Sequence, residues 1–411
     1  MKTRMFRAAF GLLILAGMGI AGTGCNKDTP QSLYDPTYTP NARPVVTSFT
    51  TVNPGLAGVT IFTITGANFS AVAGDNIVFF NASPGTVLSA TPTQLRVQAP
   101  YLVKDTVLIK VAVRGATLFS DPPIQYKLEA PSLDFGQWKT ADETYGVVTD
   151  AAGGVYASTL TGGVGIGVKK FNGDGTRTDY SPVLSSTVPR WNSMKFGTGG
   201  YLYVCARNIL WRIPPGGGAA AVFQSVTGSV AVSDIDFDAN NNIWAVGIGN
   251  VNIYRIRTAD KNIKAFACRG DMRAVRVYAG HVYVGGKRDS LEKVFRFPIV
   301  TPDSLGAEQE YFNLTGIYGV NNGGIYAMTF NTDGDLYIGT DHPDGIRLVH
   351  SNGSSETMYS GTLLPKNISF AWGTGSSLFV SRTGGILAGA SVANALLRIN
   401  TLKTGAPQYG Q

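Results

Sequence analysis

Residues 147–159 read VVTDAAGGVYAST: a strand, a turn of small residues, and a second strand that opens with an aliphatic–aromatic pair. Five more stretches repeat this phrase, namely MKFGTGGYLYVCA (194–206), IDFDANNNIWAVG (235–247), VRVYAGHVYVGG (275–286), MTFNTDGDLYIGT (328–340) and ISFAWGTGSSLFVSR (368–382). The six aromatic positions, separated by 47, 41, 39, 54 and 42 residues, are Tyr156, Tyr203, Trp244, Tyr283, Tyr337 and Phe379. A strand–turn–strand unit that recurs every ~40–50 residues is typical of a β-propeller. The sequence therefore predicts an all-β fold.

Residues 129–411 are predicted to form a six-bladed β-propeller, with four strands in each blade. The sixth copy ends near Thr401 and lacks a fourth strand, whereas Leu133 to Trp138, ahead of the first blade, has no other obvious partner. We expect this early segment to be the outer strand of the sixth blade, because closing the ring removes an exposed sheet edge. A count of seven blades, with a degenerate one between residues 287 and 325, stays open.

Residues 43–128 are predicted to form a small immunoglobulin-like sandwich. Along TVLIKVAVRG (106–115), Val107, Ile109, Val111 and Val113 alternate with polar positions, which indicates a strand with one buried face. The segment also resembles the IPT/TIG domain family in Pro44, Pro54-Gly55, the run Gly66 to Phe69, Gly115 and Pro122-Pro123. This resemblance implies a spacer or a docking module.

The first 25 residues are predicted to be a signal peptide. Lys2, Arg4 and Arg7 precede an apolar stretch from Ala8 to Ile20 that is too short for a comfortable membrane span. Gly22-Thr23-Gly24-Cys25 resembles the lipobox of bacterial lipoproteins, which implies that Cys25 is lipidated and anchors the protein to a membrane. Residues 26–42 read as a polar tether with three prolines. We expect an outer-membrane lipoprotein at the cell surface, and a periplasmic orientation stays open.

The net charge and the cysteines limit the partners and the disulfides that we expect. The formal net charge of +7 includes three positive charges in the signal peptide, and no basic stripe stands out in the remainder, so nucleic acid is not an expected partner. With Cys25 lipidated, Cys205 and Cys268 are expected to be two separately buried thiols, because their spacing fits no disulfide framework.

The propeller prediction brings two sets of residues to one face. Residues just before an inner strand and residues just after the following strand meet around the central channel. The candidate ligand-binding residues on this face are Tyr145, Arg190, Trp191, Arg207, Arg273, Arg288, His342 and Arg382. Aromatic rings beside hydrogen-bonding groups suit the apolar and polar faces of a sugar ring.

The repeats also resemble NHL-repeat and gluconolactonase-like propellers, best seen from Asp238 to Trp244 and from Asp333 to Tyr337. This resemblance implies a divalent ion, often calcium, held at the channel mouth by oxygen ligands. The positions that match are Glu143, Asn192, Asp234 and Asn367.

Two functions therefore compete. The combination of a lipid anchor, an immunoglobulin-like spacer and a presenting domain resembles surface glycan-binding lipoproteins of bacterial polysaccharide-uptake systems, which implies non-catalytic binding of a glycan or a partner envelope protein and no cofactor. The alternative is a calcium-dependent, lactonase-like hydrolase.

Overall fold

The computed structural model describes residues 37–50, 52–136, 141–227, 231–249, 251–387 and 390–410. The predicted signal peptide, Cys25 and most of the tether lie outside the described residues. The first nine strands are β1 (Val45–Thr50), β2 (Gly55–Leu56), β3 (Ile61–Ala67), β4 (Asn76–Phe80), β5 (Ser83–Pro84), β6 (Thr86–Thr91), β7 (Gln94–Gln98), β8 (Lys104–Val113) and β9 (Ile124–Glu129).

These nine strands form two sheets, ordered β1-β3-β7-β6 and β2-β9-β8-β4-β5. One hydrophobic core lies between the sheets and includes the fully buried Phe62, Ile64 and Phe80. In β8 the burial alternates as expected, with Val107, Ile109, Val111 and Val113 all buried. The residues between these valines and Ile109 point away from the core. Because two sheets enclose one core in this way, the region is a sandwich.

The chain leaves the sandwich through β10 (Ser132–Asp134) and builds six antiparallel sheets, numbered 1 to 6 by the chain order of their inner strands. Sheets 1 and 2 contain β11 (Asp142–Thr149), β12 (Val155–Thr161), β13 (Val164–Phe171), β14 (Arg177–Ser181), β15 (Ser193–Phe196), β16 (Leu202–Ala206), β17 (Ile209–Ile213) and β18 (Ala221–Ser225). Sheets 3 and 4 contain β19 (Asp234–Phe237), β20 (Asn242–Val246), β21 (Asn252–Arg257), β22 (Ile263–Ala267), β23 (Asp271–Tyr278), β24 (His281–Arg288), β25 (Leu291–Thr301), β26 (Ser304–Leu305) and β27 (Gln309–Asn313).

A one-turn helix, α1 (Thr315–Tyr318), leads to sheet 5. Sheet 5 contains β28 (Ile325–Phe330), β29 (Leu336–Thr340), β30 (Ile346–Val349) and β31 (Ser355–Thr357). Sheet 6 contains β32 (Asn367–Trp372), β33 (Ser377–Arg382), β36 (Ala395–Asn400) and β10, and a separate hairpin pairs β34 (Gly385–Leu387) with β35 (Ala390–Val392). None of the helices in these described segments is long and apolar enough to cross a membrane.

The six sheets close into a propeller-like ring. Each inner strand packs against the next, from β11 through β15, β19, β23, β28 and β32 and back to β11. The predicted closing strand is confirmed, since Ser132 pairs with Ile399 and Leu133 with Arg398, although Trp138 lies outside the described residues. We call the face at which the inner strands begin the start face, and the opposite face, with the hairpin turns, the turn face.

The turn of the repeated hairpin is held by hydrogen bonds to a side chain. Asp238 accepts hydrogen bonds at Oδ1 from the backbone N–H groups of Asn240 and Asn242, and at Oδ2 from Nε1 of Trp244 at 2.9 Å. Asp150 accepts the hydroxyl of Tyr156 at 2.8 Å in the same way, again six residues ahead. The side-chain oxygen thus holds the turn and the aromatic ring of the second strand together.

The chain after β36, for which the sequence predicts no role, forms a strap across the turn face. Thr404 O accepts a hydrogen bond from Thr332 N at 2.9 Å, and Ala406 N donates to Phe330 O at 3.0 Å. Farther along, Tyr409 packs against two hydrophobic clusters, one between sheets 2 and 3 and one between sheets 3 and 4. The strap, residues 401–410, therefore covers the turn-face end of the central channel.

Substituting Gly405 by Ala should loosen the strap. An added Cβ would lie 2.1 Å from the Trp372 ring, and Trp372 is buried, so the ring or the strap has to move. We expect a loss of about 1–3 kcal/mol in unfolding free energy, measured by urea denaturation. Gly173→Ala is the matched control, because a Cβ there meets nothing within 4 Å. Equal stability of the two variants would show that the strap does not pack tightly.

Candidate functional site

Hydrogen bonds between neighbouring sheets join the beginnings of the inner strands into one start face. The bonds are Gly146 N to Trp191 O (3.1 Å), Asn192 Nδ2 to Val232 O (3.0 Å), Arg273 Nε to Ile325 O (2.6 Å) and Val147 N to Ser369 Oγ (3.1 Å). Residues from sheets far apart in the sequence thus share this rim.

Four of the six inner strands carry a β-bulge close to their beginning. The register shifts between Thr144 and Val147, Met272 and Ala274, Ile325 and Ala327, and Asn367 and Ser369. The unpaired residues include Tyr145, Arg273, Tyr326 and Ile368. A bulge turns a side chain out of the regular alternation, so it supplies the start face with side chains that a regular strand would place elsewhere.

Tyr145 lies in the first bulge between an acid and a base. Its hydroxyl donates to Oε2 of Glu143 at 2.7 Å, and the guanidinium carbon of Arg190 lies 3.9 Å from the ring centroid. Partial burial and the hydrogen bond to Glu143 raise the pKa of Tyr145 to about 12, against the opposing charge of Arg190. The hydroxyl therefore stays protonated at neutral pH, and Arg190 reaches the exposed side of the ring.

Tyr326 repeats this arrangement in sheet 5. Its hydroxyl donates to Oδ2 of Asp341 at 2.9 Å, while Lys366 Nζ lies 4.2 Å and the Arg273 guanidinium carbon 5.2 Å from the ring centroid. Burial and the charge of Asp341 raise the pKa of Tyr326 to about 12. Arg273 is also paired with Glu292, so Lys366 is the cation of this group without an acidic partner among the described residues.

Neither Tyr326 nor Lys366 was among the predicted site residues. The signal that would have found Tyr326 is its offset in the repeat: it precedes Tyr337 by 11 residues, as Tyr145 precedes Tyr156. Lys366 has no such signal, because only the packing of sheet 5 against sheet 6 brings it to the Tyr326 ring.

The two tyrosine groups of the start face contain both acids and cations. The acids of these groups, Glu143, Asp341 and Glu292, accept hydrogen bonds from Tyr145, Tyr326 and Arg273, respectively. Among the described residues, Arg190 and Lys366 have no carboxylate within ion-pair distance. Glu143 and Asp341 keep their negative charge in these hydrogen bonds, so the two groups are balanced in net charge, but Arg190 and Lys366 offer a ligand two cationic donors that are not tied up in ion pairs.

Trp191 does not offer a ring to a ligand, and this prediction is wrong. Its side chain is 2% exposed and packs against Trp211 with ring centroids 5.2 Å apart. Its backbone N–H donates to Ser158 Oγ at 2.9 Å. Trp191 belongs to the hydrophobic core because its side chain turns inward between sheets 1 and 2, ahead of β15.

Two predicted arginines are engaged by the protein itself. Arg288 donates to both carboxylate oxygens of Glu308, at 2.5 and 2.9 Å, and lies 3.8 Å from the Phe295 ring centroid. Arg382 is buried and donates from Nε to Ala393 O at 3.0 Å. Burial lowers the pKa of Arg382. Neither guanidinium is placed to meet a ligand without giving up these contacts.

Arg207 and His342 contact other residues than Tyr145 and Tyr326. Arg207 is exposed and donates to Thr187 O at 3.0 Å. His342 stacks on Tyr318 with ring centroids 3.7 Å apart, and its Nδ1 accepts the backbone N–H of Asp344 at 3.2 Å. The two residues stay candidates, and His342 directly follows Asp341, which accepts the Tyr326 hydroxyl.

The four residues of the calcium hypothesis do not fit the ion. Oδ2 of Asp234 accepts Arg276 Nη1 at 2.6 Å and Val275 N at 2.9 Å, so a cation already neutralises it. Asn367 donates from Nδ2 to Gly345 O and Leu364 O, and its Oδ1 is buried without a partner in the described structure. The few oxygens that these four residues leave unengaged fall short of the six to eight that calcium takes.

Oε2 of Glu143 accepts the Tyr145 hydroxyl, and Asn192 donates from Nδ2 to the Val232 carbonyl, which fixes its amide but leaves its Oδ1 unused by that bond. Within the segments that the structure describes, no three His, Cys, Asp or Glu side chains cluster so as to hold a metal ion.

The central channel instead holds paired charges. Besides Asp234 and Arg276, the Lys195 amino group lies 3.4 Å from Asp236. Burial and the charge of Arg276 lower the pKa of Lys195, while Asp236 and Asp234 oppose this shift.

The thiols of Cys205 and Cys268 are both buried and form no disulfide, as expected. Burial raises the pKa of Cys268 to about 11 and that of Cys205 further, so neither thiol is an activated nucleophile.

Comparison with known proteins supports the prediction of an IPT/TIG domain and the general fold. Residues 44–126 match the IPT/TIG domain family, so the sandwich is an IPT/TIG domain. No curated protein matches the chain.

Several solved structures resemble the protein. An auxiliary nutrient binding protein from Bacteroides thetaiotaomicron shares 10% identity over 88% of this chain and 98% of its own, with a TM-score of 0.49. A luciferin-regenerating enzyme shares 16% identity over 65% of this chain and 94% of its own, with a TM-score of 0.50. The calcium-binding protein regucalcin from Agrobacterium tumefaciens shares 12% identity over 65% and 92%, with a TM-score of 0.49. At 16% identity, the likeness to the luciferin-regenerating enzyme concerns the fold alone.

Calcium should not stabilise this protein, and Asp234→Asn should destabilise it with or without the ion. The substitution leaves Arg276 buried without its counter-charge, which costs about 3–5 kcal/mol in unfolding free energy. Urea denaturation in calcium and in chelator measures both effects. Asp179→Asn is the control, because the Asp179 side chain is 85% exposed and a loss there should be small. A calcium-dependent gain in wild-type stability that Asp234→Asn abolishes would restore the metal hypothesis.

Proposed function

We propose that the protein is a lipid-anchored envelope protein whose start face binds an acidic saccharide without chemically changing it. The observation that carries this proposal is the pair of cations, Arg190 and Lys366, that lie over Tyr145 and Tyr326 without an acidic partner in the described structure. In this proposal the six sheets act as the six blades of a propeller.

A sugar carboxylate suits these groups chemically. It can accept charge-assisted hydrogen bonds from Lys366 or Arg190, and the apolar C–H face of the sugar can pack beside a tyrosine ring. The acids of the face do not compete for the cations, because Glu143 and Asp341 are bound to the tyrosine hydroxyls. A neutral sugar would use the aromatic contacts, but its hydroxyls could form no ion pair with the two cations.

A small polar ligand fits this face better than a protein partner does. Protein interfaces of standard size bury ~800 Å² on each side around an apolar centre that is depleted of charge. The start face has the opposite character: Tyr145 and Tyr326 are half-buried, and Glu143, Arg273 and Lys366 surround them. We therefore propose a saccharide rather than an envelope protein as the ligand.

The anchor and the binding face are proposed to lie at opposite ends. Cys25 would carry the lipid, and residues 26–42 and the IPT/TIG domain would hold the ring away from the membrane. A cavity of about 470 Å³ between this domain and sheet 6 is lined by Lys127 and Glu129 on one side and by Ser376 and Arg398 on the other. Ser376 belongs to a hairpin turn, so this support arises near the turn face and leaves the start face uncovered. The proposed domain division, between residues 128 and 129, lies one residue before the end of β9.

Removing either free cation should weaken binding of an acidic polysaccharide. For Arg190→Ala and Lys366→Ala we expect a loss of about tenfold each, or ~1.4 kcal/mol, because each removes one charge-assisted contact. Affinity electrophoresis with polygalacturonate and alginate measures this loss, and added salt should weaken wild-type binding.

Lys264→Ala is the matched control for these variants, since it removes the same charge from the exposed outer strand of sheet 3. Equal affinity of all three variants would contradict the proposed site. Failure of the wild-type protein to bind any acidic polysaccharide would contradict the proposed ligand.

Lipidation predicts where the protein is found. Cys25→Ala should move it from the membrane pellet to the supernatant of lysed cells, because an acyl anchor contributes ~0.8 kcal/mol per buried methylene. Detergent phase partition of the expressed full chain measures the change. Cys268→Ala changes a buried thiol and should leave the protein in the membrane fraction. Identical partition of the two variants would show that Cys25 is not the anchor.

A further inference from the structure

A second cavity lies on the turn face, between sheets 1 and 2. Its volume is about 630 Å³. On the side of sheet 1 it is lined by the hairpin turn at Asp150, by Tyr156 and Lys170 and by the outer strand at Tyr180, and on the side of sheet 2 by the two loops at Gly199 and Pro215. Cavities that bind small molecules in proteins have volumes of ~300–1,000 Å³. None of the start-face residues lines this one.

The cavity has a fixed aromatic floor. Tyr156 and Phe196 are both buried, with ring centroids 5.1 Å apart, and Tyr180 meets the Tyr156 ring at 4.7 Å in an edge-on arrangement. The Tyr156 hydroxyl is held by Asp150 at 2.8 Å, and that carboxylate also accepts two backbone N–H groups of its own turn. The floor is therefore rigid before any ligand arrives.

The wall on the side of sheet 2 is also held in place. Gly218 N donates to Tyr180 O at 2.8 Å, which ties the loop after β17 to the outer strand of sheet 1. Gly217 has a φ of +104°, and a Cβ at this residue would lie 2.3 Å from Tyr180 O. A side chain at residue 217 would clash with this carbonyl, so only a glycine lets the loop approach Tyr180 closely enough to form this wall of the cavity.

Polar groups of both signs border the aromatic floor. The Lys170 amino group lies 5.3 Å from the Tyr156 ring centroid and makes no ion pair among the described residues. The Tyr180 hydroxyl has no hydrogen-bond partner in the same part of the structure, and Asp179 lies at the rim, paired with Lys169. Donors and acceptors are thus both available, and the charges of Lys170 and Asp150 offset each other.

We infer that this cavity is a second binding site, and that it takes an uncharged sugar ring of the pyranose type. The half-buried Tyr180 ring, backed by the buried Tyr156 and Phe196, offers an apolar surface to the C–H face of such a ring, and Lys170, the Tyr180 hydroxyl and Asp179 suit its hydroxyls as donors and acceptors. The balanced charge disfavours an ionic ligand, and the polar rim disfavours a lipid. The site is separate from the start face and does not depend on its ligand.

The test uses the full chain and a panel of neutral hexoses, N-acetylhexosamines and their short oligomers, with saturation-transfer NMR as the readout. At least one member of the panel should bind, and Tyr180→Ala and Lys170→Ala should each weaken its binding about tenfold or more. Tyr180→Phe keeps the ring and should give a smaller loss, which separates loss of the hydroxyl from loss of the fold. Tyr101→Ala, at an exposed tyrosine of the IPT/TIG domain, is the control and should bind as the wild type does.

The start-face variant Lys366→Ala should also bind the neutral sugar normally, so the two proposed sites can fail independently. The inference is overturned if no neutral sugar binds, if Tyr180→Ala and Lys170→Ala bind as tightly as wild type, or if Lys366→Ala abolishes the binding. Displacement of the sugar from this cavity by an aromatic nucleoside at lower concentration would overturn the proposed ligand class.

Discussion

The ring depends on a short contact at the turn of its repeated hairpin. In sheets 1, 3 and 5 a side-chain oxygen of Asp150, Asp238 or Asn331 accepts the backbone N–H groups two and four residues ahead. In sheets 2 and 6 a glycine takes this position, and a Cβ at Gly197 or Gly373 would lie 2.6 Å from the ring of the aromatic residue six positions later. Either solution fixes where the aromatic residue of the second strand lies, and that residue packs against the neighbouring sheet.

Once the hairpins are fixed, the two faces of the ring acquire different characters. The turn face is crossed by the strap and bears a neutral, aromatic cavity, whereas the start face bears bulged tyrosines beside free cations. Between them the channel is filled by pairs of opposite charge, Asp234 with Arg276 and Lys195 with Asp236. A buried ion is tolerated only beside a counter-ion, so these pairs belong to the structure of the channel and leave no oxygens for a metal.

Residue type at a position proved a poor guide to which side chains are available for binding. Trp191 and Tyr145 both precede or begin an inner strand, yet Trp191 is core and Tyr145 is half-exposed. The difference is the bulge between Thr144 and Val147, which turns Tyr145 out of the strand alternation. Similarly, Arg288 and Arg382 stand at the predicted positions, but Glu308 and the Ala393 carbonyl already occupy them. Single-sequence reasoning places the backbone of a repeat well and cannot see such partners, because they come from distant parts of the chain.

The sequence by itself determined the all-β class, the IPT/TIG domain, the repeat and the strand that closes the ring, because alternation, turn residues and spacing act over a few residues or at a regular period. It also contained the offset that relates Tyr326 to Tyr145. Only the tertiary structure decided which cations are free, that Asp234 is neutralised by Arg276, that the strap covers the channel, and that a cavity opens between sheets 1 and 2. These features depend on contacts between segments tens to hundreds of residues apart, and the geometry of such contacts is set by the closure of the whole ring.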